Sequence, residues 1–508
     1  MPADRPAARE RIRRDAWLGI LTYVIPRELA GEALRPAAEA ARSRPKEKQP
    51  RQRVLTPMVT MYFTLGLCLF SGSSYSSVFL EVAAGLGVLA PATAALSRAR
   101  ARLGEAPVRA LFEALCSAVS PGEEAWSHVC GLLAVAWDGT GLALAGTGEN
   151  AEAFGRPAAG GKKKGPPPAP SARVVMLIAC GTRAVLGAAA GPFRGKDTGE
   201  RALARQLLGR LRAGMLLIAD KGFYSWALWN AAAATGADLL WRAKDSMHLP
   251  VAAELPDGSF LARVRDPREV RRRLARNGQR RRRGSPLPPD ASPLPGSMTV
   301  RVIEFTLTIE EDDGSTRTQR YRLLTTLTDH RACPARELAA AYARRWATET
   351  GWREVKTCLR GSGRPLRGQT PALARQEIWA LLAVYQAIRI LIARAAAGTG
   401  TDPARLSFTA ALHAVRASVH SPRRDLHAAL AAADDQIRAA IVPERRHRTC
   451  PRAVRSIPFT PFPVRKPGQQ APLSRHVTRT ITISPPGQTT QHSPAQHQQP
   501  SISPPSPP

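Results

Sequence analysis

Residues 337–361 read ELAAAYARRWATETGWREVKTCLRG, a stretch that predicts a helix over residues 335–360. Tyr342, Arg345, Glu349 and Lys356 occur in it at offsets of 0, +3, +7 and +14. At roughly 100° per residue, these positions fall near 0°, −60°, −20° and −40° around the helix axis. The spacing therefore predicts one narrow helix face that carries a carboxylate, two cations and a phenol.

Two aspartates upstream each follow a short apolar run. Asp138 ends the run in LLAVAWDGT, and Asp220 ends the run in MLLIADKGF. Taken singly, each aspartate is most simply a turn-capping residue. An aspartate at the end of a buried strand must, however, face a cleft, a partner or a metal. Together with Glu349, the two provide the hard oxygen ligands that a pair of divalent cations requires.

Other carboxylates compete with Glu349 for this role. Glu354 lies five residues further on, about 140° away around an ideal helix, so we expect it to face elsewhere and pair with a Lys or Arg. Asp329 ends the run TTLTD and is interpreted as a turn residue. Glu377 follows on a later predicted helix without a cationic neighbourhood like that of Glu349. Glu349 is therefore the preferred third carboxylate.

The composition favours a polyanionic partner. The chain has 508 residues, a formal charge of +33 and 44% hydrophobic residues, so it can bury sizeable cores and bind nucleic acid first, or an anionic membrane second. A host with a GC-rich genome and arginine-rich proteins is the alternative explanation for much of this charge. The apolar stretch from Met58 to Phe70 is shorter than the roughly 20 residues that span a bilayer, and we interpret it as a core helix. The seven cysteines contain no CxxC pattern, which argues against a zinc site or a disulfide framework.

The positive charge is concentrated in one run. Residues 263–284 contain 11 arginines against Asp266 and Glu269, a net charge of 11 − 2 = +9. Such a run is not expected to fold on itself, because its charges repel one another. We therefore expect it to become ordered only against phosphates.

The chain divides into regions of different composition. Residues 1–125 look all-helical, residues 126–242 alternate apolar runs with amphipathic stretches, and residues 243–328 look β-rich around the arginine run. Residues 329–400 contain the helix with Glu349 and another long helix. Residues 401–466 are helical and basic, and residues 467–508 form a low-complexity tail that should be disordered.

Residues 74–104 of the N-terminal region resemble a helix-turn-helix. The second helix, over 92–103, carries Arg98, Arg100 and Arg102. Arg98 and Arg102 lie four residues apart on one face, and arginine is the side chain best suited to guanine in the major groove. A small helical bundle with a solvated basic helix explains the same pattern equally well.

The chain resembles the DDE transposases of bacterial insertion elements, and best the insertion-sequence-four family, known by Tyr-x2-Arg-x3-Glu-x6-Lys. Tyr342, Arg345, Glu349 and Lys356 match that spacing throughout. WDGT at Asp138 and ADKGFYS around Asp220 resemble the two aspartate motifs of the family. Residues 57–79 resemble its helical N-terminal domain, and the resemblance covers roughly residues 10–460.

This resemblance implies a fold and a site. It implies an α/β ribonuclease-H-like catalytic core with a β-rich insertion, preceded by an all-α N-terminal domain that binds the DNA ends. Asp138, Asp220 and Glu349 would hold two Mg²⁺ ions, for which Mn²⁺ would substitute, and Tyr342, Arg345 and Lys356 would hold phosphates. The partners would be double-stranded element ends and target DNA, bound by a dimer in a synaptic complex in the bacterial cytoplasm and nucleoid, without a membrane.

Relatives of the family cut through a hairpin, with a tryptophan of the insertion stacking on a flipped base. Residues 243–345 contain no tryptophan. Trp241 and Trp346 flank that region, and core packing is the simpler role for both.

The predicted function is that of a transposase, which binds the terminal inverted repeats of its element, cuts there by Mg²⁺-dependent hydrolysis and joins the ends to target DNA. The alternatives are a metal nuclease of the same fold without strand transfer, and a catalytically decayed DNA-binding protein. The intact set of three carboxylates argues against decay.

Overall fold

The computed structural model describes residues 17–42, 55–82, 89–117, 124–158, 168–283, 297–311, 316–420, 425–442 and 477–486. They belong to two compact units. The core unit is drawn from Met1–Lys244 and Ala340–His476, and the insertion unit from Asp245–Ala339 and Val477–Pro508.

The N-terminal part of the core unit is helical, as the sequence predicts. Thr56 begins one of its helices by accepting a hydrogen bond from the Val59 amide, and Pro57 occupies the first turn, where its missing N–H costs nothing. Another of these helices continues through Pro36 to Arg42. The helices are α1 (Leu21–Val24), α2 (Arg27–Arg42), α3 (Pro57–Leu69), α4 (Tyr75–Val82), α5 (Thr93–Leu103) and α6 (Ala106–Ser117).

A long buried helix forms the centre of the core unit. It spans Pro371–Ala396 and packs against α3 and α6. The helix is long and apolar enough to cross a membrane, but 83% of its most apolar window is buried inside the fold, as expected for a core helix. In chain order, the helices up to and beyond it are α7 (Gly148–Phe154), α8 (Glu200–Arg205), α9 (Trp226–Ala233), α10 (Pro267–Arg282), α11 (Ala335–Tyr342), α12 (Trp346–Arg353), α13 (Pro371–Ala396), α14 (Phe408–His420) and α15 (Leu426–Ala439).

The sheet of the core unit has the order β4-β3-β2-β5-β6. The pairs β2/β3 and β3/β4 are antiparallel, whereas β2/β5 and β5/β6 are parallel. This mixed order, with parallel strands added beside the first strand of an antiparallel meander, confirms the predicted ribonuclease-H-like core. The strands are β1 (His128–Val129), which pairs with β2, then β2 (Leu132–Ala143), β3 (Ser171–Ala179), β4 (Val185–Pro192), β5 (Met215–Ala219) and β6 (Asp238–Arg242).

The helix predicted over 335–360 is not one regular helix. After α11, residues Ala343–Arg345 form a 3₁₀ turn, and after α12, residues Glu354–Leu359 form a π-helical segment. A 3₁₀ turn is wound more tightly and a π segment more loosely than an α-helix. The angles obtained from an ideal helix therefore do not describe where these side chains point, and their contacts have to be taken from the structure.

The insertion unit is β-rich, as predicted. Its strands have the order β10-β9-β8-β7, and β11 pairs with β9 in antiparallel register from Val477 opposite Glu311 to Ile483 opposite Phe305. The expected disorder of residues 467–508 is therefore wrong for this strand, whose alternating VTRTITI pattern suits a sheet edge. The strands are β7 (Val251–Glu254), β8 (Phe260–Arg265), β9 (Ser297–Glu311), β10 (Thr316–Thr325) and β11 (Val477–Ile483).

The arginine run is helical, which corrects the expectation that it cannot fold on itself. Asp266 caps α10 by accepting a hydrogen bond of 2.8 Å from the Arg268 amide, and Pro267 occupies its first turn. Glu269 lies near the N-terminus and arginines fill the last turn, both favourable to the helix dipole. No residue of α10 is buried, so the helix presents its arginines to solvent.

Most of the described cysteines are reduced. Cys68, Cys116, Cys180 and Cys358 are free. Cys130 and Cys333 are disulfide-bonded.

Candidate active site

The two predicted strand-end aspartates lie side by side. Strands β2 and β5 are parallel neighbours, with Ala134 opposite Leu216 and Ala136 opposite Ile218. Two residues further along this register, Asp138 lies alongside Asp220. Adjacent strands are about 4.8 Å apart, so the two carboxylates emerge at the same edge of the sheet.

The chain fixes one oxygen of each aspartate. Asp138 Oδ1 accepts a hydrogen bond of 2.9 Å from the Gly139 amide, and Asp220 Oδ1 accepts one of 2.8 Å from the Lys221 amide. Gly139 lies within β2, and a Cβ there would lie 2.5 Å from the Glu200 side chain.

Two side chains fasten the segment with Glu349 to the sheet. Trp352 Nε1 donates to the Asp138 carbonyl over 3.3 Å. Arg344 Nη1 donates to the carbonyls of Trp126 and His128 over 2.9 and 2.7 Å. The start of α12 is thus held against β2 from both sides of Glu349.

The signature side chains gather around the aspartates. Tyr342 donates its hydroxyl to Asp220 Oδ1 over 3.4 Å, and Lys356 Nζ donates to Thr140 Oγ1 over 3.0 Å. Arg345 Nη2 lies 2.9 Å from Glu349 Oε1. The charge of Arg345 also acts on Asp138 and on Asp220, so this guanidinium is a shared counter-charge for the three carboxylates.

The surroundings of Asp138 raise the pKa of its carboxyl group. Burial is the largest cause that raises the pKa of Asp138 to about 6, and the charges of Glu200 and Glu349 add to it. The Gly139 amide and Arg345 act in the opposite direction without restoring the usual value. Burial also raises the pKa of the Tyr342 hydroxyl, so this group stays a donor at neutral pH.

Glu200 is a site neighbour that the sequence analysis did not single out. Its side chain lies against Gly139 and its charge acts on Asp138. The signal was present in the segment DTGERALARQLLGRL, which resembles the family. Nothing in its spacing indicated that the glutamate at the start of α8 would reach the aspartate on β2.

The donor set fits hard divalent cations. Carboxylate oxygens are the preferred ligands of Mg²⁺, and burial, the largest cause of the raised pKa of Asp138, disfavours its charged form unless a cation lies nearby. Among the described residues, no three His, Cys, Asp or Glu side chains are grouped closely enough to hold a metal ion. Glu349 is instead paired with Arg345.

The rival carboxylates have other roles. Glu354 is buried and ion-paired with Arg183 at 3.0 Å and with Arg389, which confirms that it faces away from Glu349. Asp329 Oδ1 accepts from the Arg331 amide over 2.8 Å, as a turn residue does. The expectation for Glu377 is wrong, because this buried side chain lies 3.9 Å from Arg100 Nη2.

The predicted DNA-reading helix α5 carries two kinds of arginine. Arg98 and Arg102 are exposed, as the helix-turn-helix interpretation requires. Arg100 is fully buried, and its Nε donates to Gln376 Oε1 over 3.1 Å. The turn that would precede this helix falls partly in residues 83–88, outside the described residues.

The two flanking tryptophans differ. Trp241 is fully buried and packs against Trp137 and Trp229, as expected for a core residue. Trp346 is 54% exposed, so the expectation of core packing is wrong for it. The Arg345 guanidinium lies 5.5 Å from the centre of the Trp346 ring.

The chain is similar in sequence to known transposases over most of its length. Residues 15–113 match the family described as the insertion element 4 transposase N-terminal region, and residues 131–386 match the transposase DDE domain. The chain is 27% identical over 378 residues to the transposase InsG for insertion sequence element IS4 of Escherichia coli strain K12, covering 72% of this chain and 77% of that protein. A piggyBac transposase synaptic complex with hairpin DNA aligns with a TM-score of 0.42 and 13% identity, over 84% of this chain and 86% of that one.

Proposed function

Because this chain belongs to the insertion-sequence-four family of DDE transposases, we propose that it binds the terminal inverted repeats of its own element, cuts the DNA there and joins the freed ends to target DNA. The observation that carries this proposal is the cluster of Asp138, Asp220 and Glu349 around Arg345 at one sheet edge. Carboxylates and cations in one place suit a phosphodiester reaction that needs both metal ligands and phosphate donors.

We assign Asp138, Asp220 and Glu349 as the residues that would hold divalent cations, two Mg²⁺ ions with Mn²⁺ as a substitute. When bound, the cations supply activation of the attacking oxygen and stabilisation of the leaving oxygen. The half-buried setting of the three carboxylates keeps their own hydration low, which strengthens their attraction for a cation.

The neighbouring side chains position the phosphate in this proposal. Lys356 offers three N–H donors, of which the contact with Thr140 Oγ1 uses one. Arg345 can turn from Glu349 to a phosphate oxygen, once the carboxylate charge is compensated otherwise. Tyr342 is protonated at neutral pH and donates a hydrogen bond without adding charge.

Recognition of the element ends belongs, in this proposal, to the N-terminal 125 residues. The phosphate-facing cations of the catalytic core cannot also read base edges. Arg98 and Arg102 on α5 are exposed, and we assign base contacts to them. We further propose a dimeric synaptic complex acting at the nucleoid in the cytoplasm, because two ends must be cut and joined together.

The test is an assay on labelled duplex that contains one element end, with and without Mg²⁺. The proposal expects Mg²⁺-dependent cutting at the end, followed by joining to a second duplex. Cutting without joining would favour the stand-alone nuclease, and binding without cutting would favour a decayed DNA-binding protein.

A further inference from the structure

The core unit contains a cavity of about 520 Å³ that the reaction described above does not use. Residues 71–74, the turn after α3, line one side of it. Arg360, Arg364 and Arg367 lie on the other side, after the π-helical segment. A cavity with three arginines in its wall suits an anionic ligand.

Arg360 is the unusual member of this group. Its side chain is only 7% exposed, and its Nε and Nη1 atoms are buried without a hydrogen-bond acceptor. Among the described residues, no carboxylate lies within ion-pairing distance of its guanidinium. Buried N–H donors without an acceptor are costly, so an acceptor from outside the chain is expected at this place.

The other two arginines already have partners that shape the cavity. Arg364 Nη1 donates to the Ser71 carbonyl over 3.1 Å, and Arg367 Nη1 donates to the Ser73 carbonyl over 2.8 Å. They hold the 71–74 turn in place. They also leave Arg360 as the lining guanidinium whose donors are unused.

The charge of Glu377, the carboxylate in the cavity wall, acts on Arg360 but is shared with other groups. Glu377 accepts hydrogen bonds of 3.0 Å from the Arg367 amide and 2.8 Å from the Gly368 amide, and it lies 3.9 Å from Arg100. It therefore compensates the charge of Arg360 only in part. Three arginines against one glutamate leave the lining with a charge of 3 − 1 = +2.

The cavity adjoins the candidate active site. Arg360 follows Lys356 by four residues in the same helical segment, which brings the two cations about one turn apart. Burial and then the Arg360 charge lower the pKa of Lys356. Two cations this close would be relieved by phosphates lying over both.

We propose that this cavity, with Arg360 as its main ligand, binds a backbone phosphate of DNA next to the phosphate held at the active site. The inference rests on the proposed function, because it takes Lys356 as a neighbouring phosphate contact. A DNA strand is favoured over free phosphate or a nucleotide, because only a strand supplies regularly spaced phosphates to both cations.

The experiment compares Arg360→Met with the wild-type chain, and uses Arg438→Met as a matched control. Arg438 is an exposed arginine of α15, outside the regions assigned to DNA binding, and its Nη1 lies 3.7 Å from Asp435 Oδ1. Binding to end-containing duplex is measured by fluorescence anisotropy from 50 to 300 mM salt with EDTA present, which keeps cutting out of the readout. Melting temperatures are measured with and without inorganic phosphate.

The proposal expects Arg360→Met to melt no lower than wild type, because the substitution removes a buried charge that makes no hydrogen bond. The log–log salt slope should fall by about 0.9, the value for one lost phosphate contact, and affinity at 0.1 M salt should fall about eight-fold. Arg438→Met should change neither quantity.

Three results would overturn the inference. An unchanged slope with unchanged melting would mean that Arg360 contacts no DNA. An unchanged slope with a large drop in melting temperature would mean a structural role. An unchanged slope, with phosphate raising the melting temperature of wild type alone, would mean a free-phosphate site. Failure of the wild-type chain to bind end-containing duplex would instead reject the proposed function.

Discussion

Two glutamates five residues apart on one helical segment have opposite surroundings. Glu349 is half-buried and faces Arg345, whose charge is shared with two aspartates. Glu354 is 3% exposed, accepts from the Tyr385 hydroxyl over 3.2 Å and is paired with both Arg183 and Arg389. The first carboxylate shares one guanidinium with two aspartates, and the second is buried between two arginines that are paired with it alone among the described carboxylates.

The difference shows how a carboxylate that can bind a ligand is distinguished from a structural carboxylate of the same residue type. A carboxylate whose charge is fully compensated inside the fold stabilises that fold and has nothing left to offer a ligand. A carboxylate beside other carboxylates carries repulsion that a ligand can relieve. The same contrast recurs on α5, where Arg100 is buried and bonded while Arg98 and Arg102 are exposed.

The largest expected effect comes from the open cluster. Asp220→Asn should reduce Mg²⁺-dependent cutting by on the order of a thousand-fold, because a preorganised ligand of the developing charge is lost. Binding to end-containing duplex in EDTA and the melting temperature should stay near wild type. A rate within ten-fold of wild type in a single-turnover assay would remove Asp220 from the cluster.

The closed network should respond in stability instead. Glu354→Gln leaves Arg183 and Arg389 buried without their counter-ion, so unfolding should become easier by about 3–5 kcal/mol. Glu113→Gln is the matched control, because it breaks a surface Glu–Arg pair of 2.9 Å with Arg109, worth at most about 1 kcal/mol. Equal urea midpoints for the two variants would contradict the contrast between Glu349 and Glu354.

The exposed arginines of α5 sharpen the comparison on the recognition side. Replacing Arg98 and Arg102 together with Gln should cost roughly 1–3 kcal/mol per lost base contact on end DNA, and much less on random duplex. Cutting of the DNA that does bind should be unchanged. Competition binding and footprinting with the full chain measure the preference, and an undiminished preference would place end recognition elsewhere.

The smallest expected effect is a pH-dependent one at Asp138. The pKa of this carboxyl rises from its usual value near 3.8 to about 6 on folding, so the folded chain binds more protons and wild type loses stability as pH rises between these values. Asp138→Asn carries no charge and should be more stable than wild type above about pH 6, by about 1–2 kcal/mol. This figure is below the full value of the shift because the group is partly solvated.

Melting curves of both chains at pH 4.5 and pH 8 in EDTA check this prediction. The advantage of Asp138→Asn should shrink at the lower pH, and added Mg²⁺ should raise the melting temperature of wild type only. An advantage that is independent of pH would mean that Asp138 is not raised in pKa.

The sequence predicted the parts of this fold that depend on local patterns. Asp138 and Asp220 could be placed at strand ends because each follows a buried apolar run, and parallel strands bring such ends together. The strand Val477–Ile483 was missed because its alternation is short and lies within a low-complexity segment. The helix at 267–282 was missed because the charge of its arginines outweighed, in the sequence analysis, the capping by Asp266 and Pro267.

The features that the sequence did not predict depend on contacts between residues that are far apart in the chain. Helix geometry was enough to predict that Glu354 faces away from Glu349. Its partners Arg183 and Arg389 could not be predicted, because they lie far away in the sequence. The burial of Arg100 was not predicted, because its partner Gln376 is 276 residues distant in the sequence. The ideal helix angles likewise ignored the 3₁₀ and π-helical segments, which depend on tertiary packing.

The most direct measurement is the single-turnover rate of Mg²⁺-dependent end cleavage for Glu349→Gln and Glu354→Gln, taken at a temperature where both variants are folded. The account predicts that Glu349→Gln binds the DNA but does not cut it, whereas Glu354→Gln cuts at a rate within about ten-fold of wild type. Active Glu349→Gln together with inactive Glu354→Gln would contradict the assignment of the cutting centre to Asp138, Asp220 and Glu349.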